Sequence, residues 1–437
     1  MLIDQTNCLV CRAPSSRMLI ARPTGRDVRG LQTASSKAPA WSRPTASHVG
    51  PCPRLVLFLI LSLSAAGRNL LPAKAYAAAL DDAASHYRQA EAYAQESHFE
   101  DAIRELEAAR TLDPSSPQIH RTLGLTLLHE GYLSDAVAEL RETVILEPGH
   151  SEARSELALA SMRAGDFDGA IVELQEVLRS NPRDLRARNN LGLCYLHEER
   201  WEEAGRIYRE FVTLDTGIPE AFYNLGVALK HQEEFEDATA ALEKAIQLRP
   251  EFPEAKTDLG EILWQQGRLD EAATQLRAAC QMRPDFKPAY YLLMEVLRQK
   301  NDFEGAFAVA QTTLQLDPQN PSAYQELAMI EKQRGDVDGA AEAFHKAENL
   351  KRISRPLQAA QVATETGTEL LRHGELAKSA GKFEFALRLD PNLAAAHFGL
   401  GLVYWGQHNR TGASAEFEKA LQLDPHLKPP RDFVRHD

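Results

Sequence analysis

Side chains capable of chemistry are frequent in this sequence, but their spacing does not match that of a catalytic site. Cys8 and Cys11 form a C-x-x-C pair, the spacing used by metal and redox sites, yet no strand–helix pattern surrounds them. We therefore interpret the pair as incidental. The sequence has no Gly-rich phosphate loop, no H-E-x-x-H and no G-x-S-x-G. It predicts a non-enzymatic protein without a cofactor or a metal.

Histidines and paired carboxylates are also interpreted without catalysis. His129, His197 and His231 occupy the same place in a repeated pattern, and side chains a whole repeat apart are poorly placed to share a metal. Carboxylates cluster at Glu233-Glu234 and Glu236-Asp237, where one helical pattern stops and the next begins. Acidic pairs at such breaks are typical of solvated turns.

The pattern itself has a period of 34 residues. Small, aromatic and proline markers return at this interval along most of the chain. Each period contains two segments with the i, i+3, i+4, i+7 apolar spacing of an amphipathic helix, a polar or glycine break between them, and usually a closing proline. The markers include the prolines 114, 148 and 182, the glycines 192, 226 and 260, and the alanines 136, 170, 204, 238, 272, 306 and 340.

Glycine or alanine at the eighth place of each period predicts a close approach of its two helices. A larger residue there would overpack the contact, at a cost of roughly 1–3 kcal/mol. Met294 is the exception, so its unit must splay or repack. Because one helix pair cannot bury its own apolar stripe, stability must come from stacked neighbours.

These markers resemble those of the tetratricopeptide-repeat family over residues 83–427. The resemblance implies an all-α fold, a right-handed superhelical solenoid of about ten helix-turn-helix repeats. We expect eight contiguous repeats at 83–354, two more at 360–427 and a tail at 428–437. Around residues 353–358 the closing proline is replaced by Arg352, so we expect a hinge or a change of superhelical pitch there.

The N-terminal region differs from the repeats in composition. Residues 1–54 are basic and lack an apolar period, so we expect disorder. Residues 55–77 resemble a secretory signal, with an apolar run and an A-x-A cleavage site, although the preceding charged region is unusually long. The run is shorter than the roughly 20 apolar residues of a membrane span. We therefore expect no stable membrane span unless the signal stays uncleaved and attached. Export to an extracytoplasmic compartment is the first interpretation, and organelle targeting or a cytoplasmic location is the alternative.

Charge is divided sharply along the chain. Residues 1–80 contain ten Lys or Arg and two Asp, which leaves 39 basic and 60 acidic residues in the remainder. That acidity argues against nucleic acid as a partner, because nucleic-acid binding depends on neutralising phosphates. It would instead attract a basic peptide or protein face.

The family resemblance also implies a concave wall built by the first helix of each pair. Its mixture of apolar, aromatic and charged side chains suits an extended peptide or a helix. Asn190 and Asn224 occupy equivalent places and resemble a ladder that grips a peptide backbone, while Lys230 and Arg298 are isolated candidates for holding a carboxylate. The candidate partner-binding residues are Asn189, Asn190, Leu193, Tyr223, Asn224, Val227, Lys230, Trp264, Tyr291 and Arg298.

We therefore interpret the chain as a non-catalytic scaffold that binds a protein or peptide along its concave face and acts as an extracytoplasmic assembly adaptor, with a basic partner favoured by the acidity of the array. The alternatives are a substrate-recruiting subunit of a separate enzyme, such as a glycosyltransferase, and a cytosolic or organelle adaptor. The last helix is followed by Lys428-Pro429-Pro430 and has no capping helix. We expect an exposed apolar face there (Ala413, Phe417, Ala420 and Leu421) and self-association through it.

Overall fold

The computed structural model describes residues 73–431 and Phe433 of the 437-residue chain. Cys8, Cys11, the basic segment and the apolar run of the predicted signal lie outside the described residues. The described part is helical and contains no strand. Its helices are α1 (Ala73–Gln95), α2 (Phe99–Leu112), α3 (Pro117–Glu130), α4 (Leu133–Leu146), α5 (Ser151–Arg163), α6 (Phe167–Ser180), α7 (Leu185–His197), α8 (Trp201–Leu214), α9 (Pro219–His231), α10 (Phe235–Leu248), α11 (Pro253–Gln265), α12 (Leu269–Met282), α13 (Lys287–Gln299), α14 (Phe303–Leu316), α15 (Pro321–Arg334), α16 (Val337–Arg372), α17 (Leu376–Leu389), α18 (Ala394–Gly406) and α19 (Arg410–Leu423).

The helices form an all-α array of pairs, each pair packed on the next. We number the pairs as units 1 to 10, from α1–α2 to α18–α19, with the long helix α16 shared by units 8 and 9. None of the described helices has both the length and the apolar character required to cross a bilayer.

One left-handed residue builds the turn inside each unit. It lies two residues before the second helix, as at Gly267 (φ 75°) before α12 and Glu233 (φ 61°) before α10. The left-handed conformation lets the chain leave the first helix and reverse its direction. The others are Ser97, Gly131, Gly165, Glu199, Asn301, Gly335, Gly374 and His408.

Glycines bring the two helices of a unit together, as the sequence predicts. A Cβ built on Gly226 would lie 2.7 Å from Leu242 Cγ, closer than carbon atoms approach without a shift. A Cβ built on Gly260 would likewise lie 2.7 Å from Leu276 Cγ. In unit 7 the large residue is on the first helix and the small residue is on the second. Met294 takes the place of the glycine and Ala310 that of the leucine, and both are buried. Repacking of this kind accommodates the one large residue.

The long helix α16 replaces the expected break between units 8 and 9. The backbone stays helical through residues 353–358, with Pro356 inside the helix. What is interrupted is the packing: the buried residues of α16 stop at Ala347 and resume at Ala360, and Ile353 between them is 61% exposed. With Arg352 in place of the helix-ending proline, the chain has no signal to stop before Pro356.

The last helix is better covered than the sequence analysis expects. Ala413, Phe417 and Ala420 are fully buried, so the prediction that they form an exposed apolar face is wrong. Phe433 packs edge-on against Phe417 at 5.1 Å between ring centroids, and Phe398 lies 5.5 Å from the same ring. The C-terminal tail therefore performs the capping that a further helix would otherwise supply.

Candidate functional site

The first helices line the inner side of the array. Contacts that skip a helix join first helix to first helix in neighbouring units, as between α9 and α11, α11 and α13, and α13 and α15. Closer spacing of the first helices curves the array toward them, which is how repeat arrays form a concave surface. We call the following first-helix side chains the groove surface: Arg121, Leu125, Glu152, Glu156, Leu159, Asn189, Leu193, Tyr223, Val227, Lys230, Asp258, Glu261, Trp264, Tyr291, Glu295, Arg298, Glu326 and Met329.

One row of the groove surface is apolar in units 2 to 5. Leu125, Leu159, Leu193 and Val227 occupy the same place in units 2 to 5 and form what we call the apolar row. Leu159 is 37% exposed, and the other three are half-buried. A contiguous row of accessible aliphatic side chains is suited to burying the apolar side of a bound segment.

In units 6 and 7 the place of the aliphatic residues is taken by Glu261 and Glu295, so the row becomes acidic there. Lys230 on α9 donates to Asp258 and, at 2.7 Å, to Glu261, both on α11. Its side chain is only 9% exposed. Burial alone would lower the pKa of Lys230, but the two carboxylates raise it above its ordinary value.

A second such cluster joins units 7 and 8. Arg298 donates to Glu295 at 2.6 Å on its own helix α13 and to Glu326 at 3.1 Å on α15. Burial and the negative charge of Glu295 raise the pKa of Glu326 to about 7, because one guanidinium cannot fully stabilise two neighbouring carboxylates. Glu326 therefore changes its protonation state near neutral pH.

A third cluster lies at the opposite end of the groove surface. Arg121 on α3 makes a bidentate pair with Glu156 on α5, with two bonds of 2.6 Å, and Glu152 lies 3.0 Å away. Each cluster combines one cation with two carboxylates, which leaves one excess negative charge when both carboxylates are ionised, and protonation of Glu326 removes that charge from its cluster. We call them the acidic triads: Arg121–Glu152–Glu156, Lys230–Asp258–Glu261 and Arg298–Glu295–Glu326.

The triads correct one interpretation made from the sequence. Lys230 and Arg298 are not free cations available to a partner's carboxylate, because each is already held by two carboxylates of the chain. Their effect is to fasten neighbouring first helices together while leaving the surface acidic. Sequence reasoning named both cations but missed Asp258 and Glu326, which become recognisable only when consecutive units are stacked.

The two asparagines of the predicted ladder, Asn190 and Asn224, lie in different environments. Asn224 is buried and its amide donates to Tyr208 Oη at 3.0 Å, so this side chain belongs to the contact between two units. Asn189 and Asn190 remain half-buried on α7. The Tyr208 ring packs beside Gly192, which brings its hydroxyl into the array. The buried amide of Asn224 therefore has a hydrogen-bond partner there.

The aromatic candidates lie where the groove surface meets the core. Trp264 and Tyr291 are half-buried and pack against the main apolar core. The hydroxyl of Tyr291 donates to Asp317 at 2.9 Å, and Asn320 donates to it at 2.6 Å. Tyr223 is half-buried as well, with its ring 5.0 Å from that of Phe252. Each is held in place by the chain and keeps part of its surface accessible.

The repeated histidines stack on aromatic rings of the preceding unit. His231 lies 3.9 Å from Trp201 and His197 lies 4.5 Å from Phe167, nearly parallel in both cases. Burial lowers the pKa of both imidazoles, which favours their neutral form in the stack. Among the described residues no group of three or more metal-ligating side chains comes together.

A depression of about 380 Å³ lies apart from the groove surface, where the second helices α6 and α8 meet the first helix α7. It is lined by Arg179, Arg206 and the buried Arg188, whose Nη1 donates to Glu210 at 2.5 Å. In units 1 to 3 the corresponding basic residue, His86, His120 or Arg154, contacts a glutamate on its own second helix, whereas Ile207 occupies that place here.

Comparison with known proteins agrees with the repeat architecture. The sequence matches the family described as Tetratricopeptide repeat at residues 87–151, 155–219, 220–285, 289–353 and 364–427. The chain belongs to the tetratricopeptide-repeat family. Proteins of this family are generally non-catalytic scaffolds for protein interactions. No curated protein matches the sequence.

Similar solved structures are repeat proteins of limited sequence identity. One is MamA (residue 41 to the end) from Desulfovibrio magneticus RS-1, 27% identical over 38% of this chain and 95% of that chain, with a TM-score of 0.37. Another is YrrB, described as a TPR protein with an unusual peptide-binding site, 18% identical over 41% of this chain and 92% of that protein, with a TM-score of 0.37. Yeast Tom70 is 18% identical over 78% of this chain and 85% of that protein, with a TM-score of 0.32.

Proposed function

We propose that this protein is an interaction scaffold whose groove surface binds a segment carrying both basic and apolar side chains. The observation that carries the proposal is that one surface presents both the apolar row and the three acidic triads, one of which belongs to units 2 and 3 of the row. Aliphatic side chains of the partner would bury the apolar row, and its Lys or Arg side chains would meet the excess charge of the triads.

The acidic triads suit this role because they are pre-organised. Each carboxylate is held by a cation of the array, so little side-chain entropy remains to be lost when a partner binds. A partner cation placed beside Glu261 or Glu295 would add to an existing network. The attraction would weaken with salt, since the triads are partly exposed.

The cellular role that we propose is that of an extracytoplasmic adaptor in the assembly of a larger complex. The apolar run before the array and the A-x-A site, which lies in the first turns of α1, support export. N-terminal sequencing of the mature protein tests this part. A start close to Ala78 agrees with export, whereas a retained N-terminus or a start elsewhere supports the organelle-targeted or cytoplasmic alternative.

The binding proposal is tested by chemical crosslinking and affinity capture with the full-length chain. Leu159→Asp changes the apolar row, and Val172→Asp is its matched control, because Val172 is an exposed aliphatic residue on a second helix. We expect Leu159→Asp to lose partners that the parent and Val172→Asp retain. Equal capture by all three proteins would contradict a role of the groove surface. A captured enzyme would indicate the substrate-recruiting alternative.

A further inference from the structure

The C-terminal tail of the chain lies against units 1 and 2. Arg431 donates from Nε to Glu107 at 3.0 Å and from Nη1 to Glu100 at 2.9 Å, both on α2. Its backbone N–H donates to Asp135 on α4 at 3.3 Å. The Arg431 side chain is 19% exposed, so it is largely enclosed by these partners.

An aromatic side chain completes the surface that receives the tail. The Tyr132 ring lies 4.8 Å from Lys428 Nζ and 5.1 Å from the Arg431 guanidinium carbon, within the range of cation–π contacts. Tyr132 also donates to Glu100 at 2.9 Å, which fixes the ring beside the carboxylate. We call Glu100, Glu107, Tyr132 and Asp135 the tail site.

The tail has the composition and stiffness that this site requires. Pro429 and Pro430 separate Lys428 from Arg431 and restrict the backbone between the two cations. On the far side, Phe433 packs on Phe417 of α19. One short segment thus touches the last unit with an aromatic ring and the first two units with cations.

A second contact brings the same parts of the array together. Arg372, at the end of α16, donates to the backbone carbonyl of Gly165 in unit 3 at 2.8 Å. The late units therefore lie beside the early ones at two separate places. This proximity raises the effective concentration of the tail at its site.

We propose that the tail site is a second peptide-binding site, specific for a basic segment with an intervening proline pair, and that the tail of the same molecule occupies it. It is distinct from the groove surface because its residues belong to the second helices α2 and α4 and to the turn before α4. A basic segment of a partner must displace the tail, so occupancy of the site is regulated by the chain itself.

A zero-length carbodiimide crosslink tests occupancy in the unmodified full-length chain. We expect products that join Lys428 to a carboxylate of the tail site, identified by mass spectrometry. In an equal mixture of ¹⁴N- and ¹⁵N-labelled protein, these products should carry one label only. Absence of the product, or products that carry both labels, would overturn occupancy by the same molecule.

Specificity is tested with a labelled synthetic peptide of residues 424–437. The full-length variant Lys428→Ala/Arg431→Ala, whose own tail has lost both cations and is released, should bind the peptide at least tenfold more tightly than the parent. Adding Glu107→Arg to this variant should abolish binding, and a peptide carrying Arg431→Glu should recover it. Adding Glu243→Arg on α10 instead of Glu107→Arg is the matched control, and it should leave the peptide affinity unchanged.

Circular dichroism of each variant confirms that the helical content is unchanged. Equal peptide affinity for the parent and the tail-released variant would overturn the proposal. Equal losses of peptide affinity in the Glu107→Arg and Glu243→Arg variants would also overturn it. Both experiments leave the groove surface unaltered, so their outcome is independent of the function proposed for it.

Discussion

Lys230 on α9 and Glu261 on α11 form an ion pair of 2.7 Å across the boundary between units 5 and 6. The lysine side chain is almost fully enclosed, and Asp258 is its second partner. This pair connects two functions of the array. It fastens consecutive first helices, and it holds an acidic side chain at the edge of the groove surface.

Replacing Lys230 with methionine should destabilise the protein by about 1–3 kcal/mol, because two neighbouring carboxylates would lose their shared cation. Urea unfolding followed by circular dichroism measures the change. The matched variant Lys230→Met/Asp258→Asn/Glu261→Gln removes the charges as well and should recover most of the stability. If the triple variant were less stable than Lys230→Met, the cation would not be needed to offset the two charges.

The pKa of Glu326, raised to about 7, predicts a pH dependence. A raised folded-state pKa contributes stability that is fully present below the ordinary glutamate pKa near 4.5 and is lost as pH rises through 7. Between pH 4.5 and 7.5 the free energy of unfolding of the parent should therefore fall relative to that of Glu326→Gln, by up to about 3 kcal/mol. Parallel profiles of the two proteins would contradict this assignment, and Glu243→Gln on α10 serves as the control.

Close helix approach predicts the effect of a single methyl group. Gly226→Ala should destabilise the protein by about 1–3 kcal/mol, because the new Cβ would lie 2.7 Å from Leu242 Cγ. Gly149→Ala is the matched control, since no atom lies within 4 Å of a Cβ built there. Thermal unfolding of both variants measures the difference, and similar midpoints would show that the approach is not tight.

The left-handed turn residues predict a stabilising substitution. Glu233 has a φ of 61°, a conformation that is costly for any residue with a Cβ. Glu233→Gly should raise the free energy of unfolding by up to about 1 kcal/mol. The reverse change, Gly267→Ala at a φ of 75°, should lower it by about as much. A loss of stability in Glu233→Gly would mean that the glutamate side chain makes a contribution larger than the strain.

Much of the fold could be predicted from the sequence because its signals are local and repeated. Gly226 and Gly260 predict close helix pairs, and both make the expected approach. The helix through Pro356 could not be predicted with the same certainty, because the loss of the usual proline at Arg352 is compatible with either a hinge or a continuous helix. Stacking of units 8 and 9 decides between these outcomes, and it is not encoded in one repeat.

The helices that carry the candidate residues could be predicted from the sequence, but the contacts of those residues could not. The partners of Lys230 and Arg298 depend on the lateral offset between neighbouring units. The burial of Asn224 likewise depends on Tyr208, which lies on the second helix of the preceding unit. The tail site was missed altogether, because Arg431 meets residues 296 to 331 positions earlier in the chain. A basic tail on an acidic array was the one sequence signal available.

The central claim is that the groove surface selects segments with both basic and apolar side chains. It is tested most directly by selection of a random peptide library on the full-length chain, followed by photo-crosslinking of the enriched peptides. We predict enrichment of Lys or Arg together with aliphatic residues, and crosslinks to α5, α7, α9, α11 and α13. Enrichment of acidic peptides, or crosslinks confined to second helices such as α6 and α10, would contradict the account.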